Sequence, residues 1–146
     1  VVIAGHRTAV DRAIEAAKAR GAKRALPLPV SVPSHCALMF SAAESFRQHL
    51  DRVPFAHATI PVVQNVDAIA RQDSAALRQS LILQLYSPVR WVDCVATLAR
   101  LGARRIVECG PGKVLSGLIK RIDGSLQLDA LGEPSGFSAA LSRGRS

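Results

Sequence analysis

Aromatic side chains are scarce in this chain: four Phe, one Trp and one Tyr, 4% of the residues. Surfaces that stack bases interleave aromatics with cations, and no zinc-finger or RNP-like motif is present, so nucleic acid is not expected as a partner. Cysteine is also sparse. Cys36, Cys94 and Cys109 are odd in number and far apart, which supports neither a disulfide framework nor a C-x-x-C metal site; reduced, mostly buried thiols and no bound metal are expected. No apolar run approaches the roughly eighteen residues that cross a bilayer, and no cationic stretch leads into an apolar block as in a signal peptide. A cytoplasmic protein without a membrane partner is the simplest expectation. An initiator methionine is missing too: the chain opens on Val1 inside an apolar run, which reads as a cut from something longer.

What is present fits a globular protein. The 146 residues are 49% apolar and 21% charged, enough for one sizeable core and, by default, one domain. The net charge of +8 and a pI of about 10.5 favour an acidic partner. The basic residues lie in small scattered groups, Lys18 and Arg20, Lys23 with Arg24, Arg104 with Arg105, Lys120 with Arg121. An acidic protein or a phosphate-bearing ligand suits that scatter at least as well as nucleic acid does.

Taken in order, residues 1–4 (VVIA) read as a buried strand, Thr8 with Asp11 as a helix start, Val10, Ile14 and Ala17 as one face, and Gly21 as the helix end. Residues 25–28 read as a second strand, placed at an edge by their prolines. The next segment, residues 29–39 (PVSVPSHCALM), is a poor helix and holds His35 at the end of an apolar run. An imidazole there can exchange protons near neutral pH; taken alone, it is more often a packed or solvated residue. Met39, Ala43, Phe46 and Leu50 form a helical stripe, residues 59–63 a strand, and Gln64 to Asp67 a polar loop. Ser74 reads as the cap of a helix that Ser87 and Pro88 end, with Pro88 as the first residue of the next helix, closed by Gly102. Residues 104–109 form a short strand, and Gly110-Pro111-Gly112 turns into a helix bearing Val114, Leu115, Leu118, Ile119 and Ile122. That turn lacks the Walker and G-x-G-x-x-G spacings, so nucleotide binding is not expected there. The last twenty residues, with Gly144 among their glycines, read as a short strand and a loose tail.

Strands alternating with helices predict an α/β fold with a mainly parallel sheet, whose reactive groups gather at strand carboxyl ends. The loops at His35, at Gln64 and at Gly110 each follow a predicted strand. All three are expected to meet at one edge.

Four stretches together carry a more specific signal: residues 26–38 (LPLPVSVPSHCAL), 61–67 (PVVQNVD), 83–91 (LQLYSPVRW) and 108–122 (ECGPGKVLSGLIKRI). In content, order and spacing they resemble the bacterial malonyl-CoA:acyl carrier protein transacylase family, over residues 1 to about 141. The resemblance implies the C-terminal part of an α/β-hydrolase-like large subdomain (residues 31–146) plus part of an inserted ferredoxin-like subdomain (residues 1–30). It implies ping-pong malonyl transfer from malonyl-CoA to acyl carrier protein in fatty acid biosynthesis, with malonyl-CoA as substrate and no cofactor. His35 would be the base for a serine on a G-H-S-x-G elbow, oriented by the backbone carbonyl of Gln84.

No G-x-S-x-G occurs in these residues: Gly5-His6-Arg7 starts like one without a serine, and Gly117 follows Ser116 in the wrong frame. The chain by itself is therefore expected to hold a base without its nucleophile and to be inactive. Lys23, Arg24, Lys120 and Arg121 are candidate carrier-protein or CoA contacts, against ordinary solvated faces. Asn65, with Gln64, either faces the cleft or caps its loop. Cys36 beside His35 is not expected to form a Cys-His pair, because neighbours on an extended segment point apart. Tyr86 and Trp91 read as packing. Two other functions stay open: a non-catalytic carrier-protein or CoA binding module, and an acyltransferase domain of a polyketide or fatty synthase with another acyl specificity.

Overall fold

The computed structural model describes residues 1–143. Its elements alternate in the manner of a mixed α/β chain: α1 (Arg7–Ala19), a 3-10 turn (Ala37–Met39), α2 (Phe40–Leu50), β1 (Val62–Val63), β2 (Ala70–Arg71), α3 (Ser74–Tyr86), α4 (Trp91–Arg100), β3 (Arg105–Glu108), α5 (Val114–Ile122), β4 (Gln127–Ala130) and α6 (Pro134–Arg143). The chain divides into two compact units where length alone led to one: residues 1–66 with 71–89, and residues 67–70 with those from Arg90 on. Among the described residues no helix is long and apolar enough to cross a membrane.

The first unit is built on α2 against α3. The apolar stripe of α2 buries Ala43 and Leu50 against Ile82 of α3, with Phe46, Phe55, Leu81, Leu85 and Tyr86 around them. Arg78 fastens the pair from the side. Its guanidinium donates to the carbonyls of Leu50 (2.7 Å), the last residue of α2, and Val53 (3.0 Å), and lies over the Phe55 ring. At the start of α3 the capping side chain is Asp73, which accepts from the Ala76 N–H at 2.8 Å. The cap is thus one residue earlier than the expected Ser74. Helix α1 follows the predicted face, Val10, Ile14 and Ala17 being half-buried, and ends before Gly21 at φ +87°.

Two expected strands are absent. Residues 1–4 and 25–28 pair with no other strand among those described, and their large apolar side chains are exposed, Val2 and Leu26 included. Apolar, β-branched composition marks what a strand would bury; only a neighbouring strand makes it one. Of residues 59–63, only Val62 and Val63 are extended in a ladder.

In the second unit β3 runs parallel to β4, with Arg105 opposite Gln127 and Glu108 opposite Ala130. Val95, Ile119 and Leu126 form its core, packed by Trp91, Ile106, Ile122 and Leu128. The buried Asp129 carboxylate accepts from Arg105 Nε at 2.6 Å, and the same guanidinium reaches the Ala140 carbonyl, which ties α6 to the strands. α6 occupies the expected tail, except Gly144, which lies outside the described residues. Gly136 lets it approach: a Cβ there would run into the Ala130 carbonyl. Pro88 does not begin the following helix. α4 starts at Trp91 behind Arg90, whose side chain pairs with Asp93 of the first turn.

Candidate functional site

His35 sits in a tight turn between two prolines' worth of irregular chain and the 3-10 turn. Its backbone is left-handed, φ +64°, a region that costs a residue with a Cβ about 1–2 kcal/mol. Two bonds to the end of α3 hold it there. The His35 N–H donates to the Leu85 carbonyl at 2.9 Å, and ring Nδ1 lies 2.7 Å from the Gln84 carbonyl oxygen. A carbonyl can only accept, so Nδ1 carries a proton, and in the neutral ring the lone pair is on Nε2. The ring is therefore in the tautomer a base needs. The acceptor is a main-chain carbonyl and not a carboxylate.

These bonds differ from the expected setting of the histidine. The turn was expected at a strand's carboxyl end; residues 25–28 form no strand, and the last turn of α3 positions the ring instead. A helix leaves its final carbonyls without intrahelical donors, and His35 fills two of them. The Gln84 acceptor was implied by the family resemblance that residues 83–91 help to carry. The Leu85 carbonyl was not, because a main-chain acceptor leaves no mark in the identity of its residue.

Next along the chain, Cys36 Sγ donates to the Pro33 carbonyl at 3.2 Å, so the thiol turns to the nearby backbone. Gln64 follows β1 and is buried, its Nε2 donating to the Val62 carbonyl at 3.0 Å; Asn65 beside it is half-buried. Lys23 and Arg24 are exposed just past α1. In the second unit, Lys120 and Arg121 are exposed on the last turn of α5, where cations favour the helix's negative end. So the described geometry brings His35 and Gln84 together, and leaves the four basic residues on open surface.

The Gly110 turn follows β3 as expected, with Gly110 at φ +149° and Gly112 at φ +85°. Two amides in the first turn of α5, which it opens, are already occupied. Glu108 Oε1 accepts from the Leu115 N–H at 3.0 Å, and Oε2 from the Ser116 N–H at 2.8 Å and the Ser116 hydroxyl at 2.7 Å. The hydroxyl bond first, then the amide bonds, hold this carboxyl below its ordinary range. An internal anion thus takes the place a phosphate would need. In the same unit burial, ahead of the nearby Asp93 and Asp67 charges, pushes the Cys94 thiol up. Among the described residues no three of His, Cys, Asp and Glu converge to hold a metal ion.

No family model matches the chain. A malonyl CoA-acyl carrier protein transacylase from Salmonella typhimurium is 54% identical over 143 residues, covering 98% of this chain and 46% of that protein. Of solved structures, the malonyl-CoA:acyl carrier protein transacylase from Xanthomonas oryzae superposes with a TM-score of 0.92 at 50% identity, over 95% of this chain and 44% of the other. A malonyl-transacylase solved in complex with its type II polyketide acyl carrier protein gives 0.91 at 46% identity, over 95% of this chain and 45% of the other. The chain spans about half the length of the relatives it matches, and within that span it is homologous to the malonyl CoA-acyl carrier protein transacylases.

Proposed function

We propose that this chain serves malonyl transfer from malonyl-CoA to acyl carrier protein in fatty acid biosynthesis, in the cytoplasm, with His35 as the general base. The observation that carries the reading is the 2.7 Å contact of Nδ1 with the Gln84 carbonyl, at a residue held by two bonds in a left-handed turn. In this reading Nε2 takes the proton of a serine hydroxyl as its oxygen attacks the malonyl thioester. The imidazolium then returns the proton to the departing CoA thiolate, leaving malonyl-serine and free CoA. In the second half His35 deprotonates the carrier-protein thiol, which attacks the malonyl ester, and the serine regains its proton. These 146 residues contain no G-x-S-x-G, so the nucleophile is assigned outside them.

The finer architecture is proposed on the same footing: residues 1–30 as part of an inserted ferredoxin-like subdomain and residues 31–146 as part of an α/β-hydrolase-like large one. Lys23, Arg24, Lys120 and Arg121 are proposed to steer the acidic carrier protein or the phosphates of CoA, and Asn65 to border the acyl site. The test is His35→Ala in the intact protein. Turnover should fall about 10²–10⁴-fold with KM little changed, as expected on losing a general base. Unchanged turnover would remove His35 as the base.

A further inference from the structure

Gln84 offers its carbonyl to His35 at a helix position where no local N–H takes it. In an α-helix the carbonyl of residue i accepts from the N–H of residue i+4. For Gln84 that position is Pro88, which has no N–H. The same proline disfavours helical backbone at the residue before it, and Ser87 is accordingly extended, φ −116° and ψ 149°, so α3 closes at Tyr86.

We propose that Pro88 is a positioning residue for His35: by presenting no N–H four residues beyond Gln84, it reserves the Gln84 carbonyl for ring Nδ1 and so fixes which imidazole nitrogen carries the proton. A local donor at position 88 would compete at an advantage. It closes one helical turn, whereas His35 reaches the same oxygen across 49 residues of sequence. A carbonyl can take two donors, as that of Ser45 does inside α2, but Nδ1 would then share the Gln84 oxygen with the helix, and its hold on one tautomer would weaken. The purpose of this arrangement rests on the acyl-transfer reading. Its existence does not.

The test is ¹⁵N NMR of the histidine rings in the intact protein. His49 supplies an internal control, since its Nδ1 lies 2.8 Å from the Ser45 carbonyl within α2 and depends on nothing at position 88. In the parent protein both rings should show the Nδ1–H tautomer. Pro88→Ala, which restores the N–H, should reduce that signature at His35 and leave it unchanged at His49. Replacing Pro88 by lactic acid, which removes the ring but still provides no N–H, should keep it at both. A Pro88→Ala protein whose His35 stays in the Nδ1–H form overturns the proposal, as does a lactic acid variant in which His35 alone loses it. Should Pro88→Ala disturb His49 as well, the lactic acid variant decides by itself. Turnover is not the readout, so a result here stands apart from the acyl-transfer reading, which fails only if His35→Ala is without effect.

Discussion

Two helix ends in this molecule are each closed by a side chain from elsewhere, and they are closed differently. At the C-terminus of α3, His35 donates twice, from its backbone N–H and from Nδ1. At the N-terminus of α5, Glu108 accepts three times, on both of its oxygens. Both satisfy orphaned backbone groups. The imidazole commits one ring nitrogen and keeps the other for chemistry, whereas the carboxylate commits both oxygens and holds its charge in place. The first cap can react; the second only fastens. That contrast explains why the more strongly bonded acid is a structural residue and the strained histidine is the candidate base.

The contrast can be broken at several points. Most drastically, these 146 residues by themselves, incubated with malonyl-CoA, should show no acyl-enzyme by mass spectrometry, because a base without its serine leaves nothing to acylate; a malonyl adduct would undo the assignment of the nucleophile elsewhere. Ile82→Ala should come next. It empties a site 1% exposed in the core that sets α3 against α2, at a cost of about 2–5 kcal/mol in chemical denaturation, and should loosen the His35 cap while leaving the Glu108 cap intact.

Glu108→Gln should lower the melting temperature by a smaller amount without changing the tautomer of His35. The pH dependence has a definite sign. The folded-state carboxyl titrates below its ordinary value of 4.5, so its contribution is fully present above that value and is lost as pH falls through the lowered folded pKa. The stability gap between parent and Glu108→Gln should therefore close on acidification below about pH 4.5, and a gap that widens there would contradict the cap. Smallest of all, charge reversal at Lys23, Arg24, Lys120 and Arg121 should raise KM for the carrier protein a few-fold, more at low salt. An unchanged KM would make them ordinary solvated cations.

Much of this was legible in the sequence, and for identifiable reasons. The stripes through α1 and α2 follow helical periodicity, which local side chains dictate. The His35 and Gln84 pair was legible only through motif order, since 49 residues separate them and no local rule joins them. What failed was context-dependent. Residues 1–4 and 25–28 have strand composition but no ladder partner among the described residues, and the glycines near the C-terminus concealed α6, where Gly136 serves close packing against Ala130. The choice of Asp73 over Ser74 as cap is a one-residue matter of which oxygen reaches the Ala76 amide. The Glu108 cap left a faint signal, an acid just before a glycine turn that opens a helix, easily mistaken for the start of a phosphate loop.

The central claim is that His35, held through Nδ1 by the Gln84 carbonyl, is the base that activates an acyl-accepting serine. It is tested most directly by rapid-quench mass spectrometry of malonyl-enzyme formation in the intact protein and its His35→Ala variant. The account predicts acylation at least about 100-fold slower in the variant; acylation at the parent rate would contradict it.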